Sequence, residues 1–213
     1  PVQGEFFQNP GSAGGFYDYQ ISQSFRMDST SDYLDSPTWS AGASEKYTIS
    51  AWVKRGDLGR YQSFLGDSAG NWGIGFNASD NIHIGSHTVV TTTGVFRDTT
   101  GWYHFYIGIN TAGASGTEFK LYVNGIQITN FSENAGPSGS FATQVNHTVQ
   151  HQIGVLNYGG ASSDFAGYLA EFYLIDGNQQ AHTDFGEFKN GVWIPKDPSG
   201  LTFGTNGFHL KFE

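Results

Sequence analysis

The sequence predicts an all-β sandwich of two antiparallel sheets, and three observations carry that expectation. Apolar and aromatic residues fall in short alternating runs divided by Gly, Asn and Asp turns. No helical period extends beyond two turns. The composition agrees: 30 glycines, 16% aromatic and only 14% charged residues favour short strands joined by tight turns.

Residues 101–129 organise the rest. Residues 101–110 place large side chains on both faces, which asks for cover on each side and a position in the middle of a packed sheet. After a Gly/Ser/Ala loop (112–116), residues 119–129 read as a hairpin about Asn124-Gly125, a pair that tolerates the positive φ angles of a type I′ turn. That turn sets Val123 opposite Ile126 and Leu121 opposite Ile128, with Phe119 on the same dry face. Lys120, Tyr122, Gln127 and Thr129 share the mixed face. One dry face and one mixed face suit packing against a second sheet.

In chain order, residues 1–20 mix glycine and aromatics without a period and read as an arm that packs on the domain or on a neighbour. Residues 21–213 form a single domain. Strands are expected at 21–27 and 32–34, followed by a loop over 36–45. Residues 46–55 alternate cleanly, with Tyr47, Ile49, Ala51 and Val53 on one face. A meander follows at 61–66, 71–76, 81–85 and 88–93. Residues 131–146 read as a polar rim loop, 148–156 and 165–176 as strands. From about 177 the chain is expected to be irregular, with a helical turn near 183–188 and a closing strand within 201–212.

A chain of 213 residues suits one domain, and at this length roughly 70% of the unfolded surface can be buried. There is no cysteine, which fits a cytosolic or virion protein better than a small extracellular module. A net charge of −9 and a pI near 5.1 disfavour nucleic acid, because the electrostatic contribution is repulsive. No apolar run approaches the ~20 residues of a membrane span, and no signal peptide is recognisable. The chain begins at Pro1 rather than Met, which reads as trimming or excision from something longer.

Three segments in order then carry a resemblance. Residues 47–54 (Tyr-Thr-Ile-Ser-Ala-Trp-Val-Lys) look like the early core strand of concanavalin-A-like, laminin-G-like jelly rolls. Trp102-Tyr-His with Leu121-Tyr-Val-Asn-Gly125 resembles their central strand pair, and residues 165–177 resemble their final strand. Phe185-Gly-Glu187, residues 191–196 and residues 203–212 are similar to proteins of marine bacteriophages, in which such domains sit in tail fibres or on capsid surfaces. The resemblance implies a concanavalin-A-like jelly-roll sandwich, a virion location and a binding or structural role.

Catalysis lacks its residues. Glycoside hydrolases of this fold carry Glu-x-Asp-x-x-Glu, placing acid and nucleophile on one strand face, and no such run exists here. Asn81-Ile-His83 matches only part of the alginate-lyase pattern. Glu171 is expected on a buried strand among Leu169, Tyr173 and Ile175, and in that setting needs hydrogen bonds or a raised pKa. His83/His87 and His147/His151 each share a strand face but lack further zinc ligands, so they read as solvated or cross-strand histidines. His104 reads as packing.

Related domains bind calcium at the loop rim. Asp67, Asp80, Asn124 and Asp164 are the oxygen-bearing candidates, without a contiguous ligand pattern. A glycan needs an aromatic platform beside planar polar groups. Trp72 and Tyr158 are the expected platform, with Asn71, Asn157, Asp67 and Asp164 as polar partners. The alternative is that both aromatics cap the core. Asn77, Asn130 and Asn146 match the glycosylation pattern by chance composition. The expectation is a non-enzymatic virion protein, a homo-oligomer of trimeric kind among other virion proteins, that binds host or environmental glycans. The alternatives are a purely structural decoration subunit and a polysaccharide-degrading enzyme.

Overall fold

The structure, a computed structural model, describes residues 15–30, 32–85, 90–111, 119–134, 145–158 and 161–213. Its strands in chain order are β1 (Phe25–Asp28), β2 (Leu34–Asp35), β3 (Lys46–Arg55), β4 (Gln62–Asp67), β5 (Gly73–Phe76), β6 (Asn81–Ile84), β7 (Val90–Val95), β8 (Tyr103–Asn110), β9 (Phe119–Val123), β10 (Ile126–Ile128), β11 (Phe131–Asn134), β12 (His151–Ile153), β13 (Asn157–Tyr158), β14 (Ala161–Ser162), β15 (Ala166–Asp176), β16 (Gly186–Lys189), β17 (Val192–Pro195) and β18 (Phe208–Leu210). The front sheet runs β1-β15-β3-β8-β9-β10, with β18 also on β15, and the back sheet runs β11-β7-β6-β5-β4-β12-β2. The ladders within both are antiparallel. This is the expected two-sheet sandwich.

Alternation decides which side chains fill it. Tyr47, Ile49, Ala51 and Val53 of β3 and Phe105, Ile107 and Ile109 of β8 meet Phe64, Ile74, Phe76 and Ile82 of the back sheet in one buried core. The opposite side chains of the front sheet, Trp52, Tyr106 and Tyr173, are buried too. The chain after β15 and residue Ile21 cover them. The centre of the front sheet is therefore covered on both faces, as the bulky pattern of residues 101–110 demanded.

The central hairpin has the expected register: Val123 pairs Ile126 and Leu121 pairs Ile128, with Asn124 at φ 48 and Gly125 at φ 76. Its dry face stops short of the turn. Ile126 is 60% exposed, because β10 is the sheet edge.

Several element boundaries are corrected. Residues 177–200 are not irregular: a 3-10 turn at His182–Asp184 leads into the β16–β17 hairpin, closed by Asn190 (φ 52) and Gly191 (φ 80). The expected loop over 131–146 opens with β11, and the expected strand over 148–156 shrinks to β12. The closing strand within 201–212 is only β18, and the first strand starts at Phe25. Residues 1–14 of the arm, loop 112–116, residues 135–144, His87 and the start of the strand expected at 88–93 lie outside the described residues.

β15 departs from simple alternation. Its register against β3 passes from Ala170↔Trp52 to Tyr173↔Ser50, so Glu171 and Phe172 together oppose Ala51. This is a β-bulge with Glu171 at φ 47, a left-handed conformation costly for a side-chain-bearing residue. Leu169 faces the core before the bulge and Phe172 and Leu174 after it. Glu171 therefore does not share a face with Leu169; the extra residue inverts the parity.

Candidate functional site

The outer face of the front sheet holds the candidate site. Reading across the strands, one row is Arg26, Tyr168, Lys54; the next contains Ala170, Trp52, His104; a third contains Tyr173, Ser50, Tyr106, Tyr122. The third row is covered by Phe185, Leu201 and Phe203. Over the second row the cover parts.

The opening is a groove of about 600 Å³. Trp52, Ala170 and Trp193 line it, Trp102 and Tyr17 border it, and Gln20, Ser22, Gln23 and Ser24 of the N-terminal segment supply hydroxyl and amide groups. Trp52 and Trp193 are each 8% exposed, whereas Trp102 is 37% and Tyr17 48% exposed. Aromatic faces beside planar amides and hydroxyls are what stacking and hydrogen bonding to a sugar ring need.

Trp193 is held from beneath. Its indole Nε1 donates to His104 Nδ1 (3.0 Å), and His104 Nε2 contacts Ser50 Oγ (2.8 Å). Burial, reinforced by the charge of nearby His182, pushes the His104 pKa down to about 3, so the ring is neutral. The glycines beneath leave room for the indole: a Cβ at Gly125 or Gly186 would fall 2.2 or 2.5 Å from it. His104 packs as expected, and it also orients the groove's innermost tryptophan.

Tyr19, which lines the groove, also reaches a carboxylate notch beside it. β1 pairs β15 through Leu169, and β18 takes over from Phe172, so Glu171 lies in the gap between them. Tyr173 donates its hydroxyl to Glu171 Oε2, His209 Nε2 lies 2.8 Å from the same oxygen, and the Tyr19 hydroxyl bonds to the Glu171 carboxyl group as well. Burial alone would raise the Glu171 pKa. The bonds from His209 and Tyr173 outweigh it and hold the carboxyl below its ordinary range. Burial and the Glu171 charge push Tyr19 up to about 12. Glu171 is thus hydrogen-bonded, the first of the two states its burial required.

The rim residues chosen from the sequence sit elsewhere. Trp72 is 7% exposed within the main core, the alternative in which the aromatic caps the sandwich, because β5 begins beside it and carries its ring inward. Asp67 is 1% exposed; its Oδ1 accepts the Asn71 amide, and burial raises its pKa. Asn157 is exposed and reaches Gln152 at 3.5 Å. The side chain of Tyr158 lies outside the described residues. Asp164 bridges to Ser63 whereas Asp67 ends the same strand, so the two acids are about 13 Å apart along β4. Asp67, Asn71 and Trp72 belong to one turn, and Asp164 stands apart from it.

Two of the calcium candidates, Asp80 and Asn124, are occupied internally. Asp80 accepts from Gly59, Arg97 (2.8 Å) and Arg55 (3.0 Å). Asn124 Oδ1 accepts the His104 amide. No group of three or more acidic or histidine side chains suited to a metal ion occurs among the described residues. His151 is a further correction: it is 2% exposed and stacks on Trp39 at 3.7 Å, which closes the face of a second hollow of about 640 Å³ beside β2 and β18. Sequence reading missed Trp52, Trp102 and Trp193 as a set. Trp52 lies on β3 and Trp102 immediately before β8, and the two are brought together by the long-range β3–β8 ladder, which no local turn announces; the hairpin bearing Trp193 was signalled by its own Asn-Gly pair.

Comparison with known proteins bears on the whole domain. The family model of the concanavalin A-like lectin/glucanases superfamily (Laminin G 3) matches residues 28–182. A candidate carbohydrate binding protein from Bacteroides ovatus is similar at 14% identity, with a TM-score of 0.55 over 82% of this chain and 52% of the other. Domain 4 of AbnA, a GH43 extracellular arabinanase from Geobacillus stearothermophilus solved with arabinotriose, is similar at 19% identity, with a TM-score of 0.53 over 77% of this chain and 75% of that one. This chain thus spans about half the Bacteroides protein. At these identities the likeness is one of fold. Comparison with curated proteins gives no match.

Proposed function

This chain belongs to the concanavalin A-like lectin/glucanases superfamily, and on that premise we propose that it is a non-catalytic carbohydrate-binding domain whose site is the outer-face groove. The observation that carries the reading is the conjunction of Trp52, Trp102, Trp193 and Tyr17 around one groove edged by Gln20 and Gln23. The related domain that holds arabinotriose supports a sugar chain as the first ligand to test. The non-catalytic role is supported by Glu171, whose carboxylate is committed to Tyr173, His209 and Tyr19 rather than aimed at a substrate bond.

The setting we propose is a virion surface, with the domain as part of a homo-oligomeric appendage. Its support is the sequence reading alone, in which the segments at 185–187, 191–196 and 203–212 resemble bacteriophage proteins. No helix among the described residues is long and apolar enough to cross a membrane.

The test is affinity electrophoresis of the intact chain against a panel of soluble polysaccharides, repeated with Trp102→Ala. Retardation by at least one polysaccharide, lost in the variant, is the expected result. Retardation unchanged by Trp102→Ala moves the site away from the groove. Release of reducing ends from any retarding polysaccharide overturns the non-catalytic reading.

A further inference from the structure

Beside the groove, Arg26 and Lys54 flank Tyr168 on the outer face, each directly opposite it on a neighbouring strand. Continuing the β3–β8 register one step beyond Val53↔Tyr103 sets Lys54 across from Trp102, whose ring lies 6.4 Å from that of Tyr168. Two residues along the strands, about 7 Å away, the same face carries Ser24, Ala170 and Trp52, which line the groove. A row of cation, aromatic, cation, aromatic therefore borders the groove.

Neither cation closes into an ion pair, although each feels one nearby carboxylate, Asp28 for Arg26 and Asp98 for Lys54. Among the described residues Arg55, Arg60, Arg97 and Lys189 form ion pairs with aspartates, whereas Arg26 and Lys54 form none. Both carboxylates are held by their own loops, Asp28 accepting from Thr30 and Asp98 from Thr100 and Gly101, so they offset the two cations from a distance rather than as ion pairs. Arg26 is exposed and Lys54 half-buried. In a chain of net charge −9, two unpaired cations across one aromatic ring beside a sugar-shaped groove run against the average.

We propose that Arg26 and Lys54 form an anion subsite, and that the glycan bound in the groove carries a carboxylate or sulfate that they bind. This rests on the groove being the carbohydrate site. The sugar ring stacks on the Trp102 side while its anionic group meets the guanidinium and ammonium, whose charge-assisted hydrogen bonds are stronger than neutral ones. Among the described residues the groove lining has no charged side chain, so this border supplies the cations for an anion bound there. The acidic remainder of the chain repels long polyanions, which makes short acidic oligosaccharides the proper probe.

The experiment is calorimetric titration with oligogalacturonate against its methyl ester, and with sulfated against unsulfated dextran oligomers, at low and physiological salt. Wild type and the Arg26→Gln/Lys54→Gln double variant are compared, with a thermal melt confirming that both are folded. One anionic member is expected to bind about tenfold or more tighter than its neutral counterpart, the size of one hydrogen bond to a charged group. The double variant is expected to lose that preference while still binding the neutral form. The arm that shows the preference identifies carboxylate or sulfate. Equal binding of charged and neutral forms, or a preference that survives in the double variant, overturns the subsite and leaves the groove reading standing. No binding of any oligosaccharide overturns both.

Discussion

The Trp193 indole donates its hydrogen to His104 Nδ1 across 3.0 Å. Indole nitrogen is only a donor, so Nδ1 must be the acceptor, and His104 carries its hydrogen on Nε2 toward Ser50 Oγ. This relay fastens β17, which lies outside the family-matched segment 28–182, to the centre of the front sheet. The C-terminal hairpin is thereby made a wall of the groove.

Removing that donor should show the relay directly. Trp193→Phe keeps an aromatic ring but leaves Nδ1 of a fully buried histidine unpaired, at a cost of about 1–3 kcal/mol. Trp193→Ala also loses the packed ring and should cost about 3–5 kcal/mol. Urea unfolding measures both. A neutral Trp193→Phe would mean that the hairpin is held by apolar contact alone.

His104 also imposes a pH dependence. Burial, then the His182 charge, lowers its folded pKa to about 3, against about 6.5 in an unfolded chain. The unfolded chain binds the proton first, so this contribution is complete above the unfolded value. Between the two values stability falls by roughly 1.4 kcal/mol per pH unit as pH drops. His104→Gln should flatten the dependence of unfolding free energy between neutrality and pH ~4. An unchanged slope would show that another group carries it.

Glu171 works in a more acid window. Burial opposes its charge, yet the bonds from His209 and Tyr173 hold the carboxyl below its ordinary value. Its contribution is present above the unfolded value of about 4.3 and is lost as pH falls through the lower folded value. Glu171→Gln should cost about 1–3 kcal/mol at neutral pH, and its acid-unfolding curve should converge with that of wild type once the native carboxylate is protonated. Curves that stay parallel into acid would point instead to strain at the φ 47 backbone as the source of the loss.

Asp80 should be far less replaceable than its exposed partner. Arg55 is 1% exposed, lies 4.0 Å over the Phe76 ring, and pairs with Asp80 at 3.0 Å. Burial opposes the Asp80 charge too, but the Gly59 amide, Arg97 and Arg55 hold its pKa down. Asp80→Asn leaves a buried guanidinium uncompensated and should cost about 3–5 kcal/mol. Arg97, with 58% of its side chain exposed, should cost about 1 kcal/mol or less as Arg97→Ala. Equal losses would mean that the buried pair has no special standing.

Much of the sheet structure was legible because it is local. Asn124-Gly125 set the register of its hairpin, and alternation over residues 46–55 put Tyr47, Ile49, Ala51 and Val53 in the core. The bulge at Glu171 was not legible, because one added residue leaves no mark in an apolar run while inverting everything after it. The proposed groove was not legible for a related reason. A tryptophan in a Gly/Asn-rich loop looks exposed, yet Trp72 turns into the sandwich, whereas Trp52 and Trp193 face outward and meet only through long-range folding. Asn190-Gly191 carried the same hairpin signal as Asn124-Gly125, and reading it would have recovered β16 and β17.

Trp72 and Trp102 separate the two placements of the site most sharply. Trp72 is 7% exposed in the main core, so Trp72→Ala should cost about 3–5 kcal/mol in unfolding free energy. Wherever the variant remains folded, its glycan affinity should be unchanged, because the ring faces away from solvent. Trp102 is 37% exposed at the groove border, so Trp102→Ala should move stability by about 1 kcal/mol or less while weakening binding by an order of magnitude or more. Paired thermal melts and titrations against the same oligosaccharide measure the crossing of effects. If Trp72→Ala lost affinity at full stability, the rim loops, not the outer face of the front sheet, would hold the sugar.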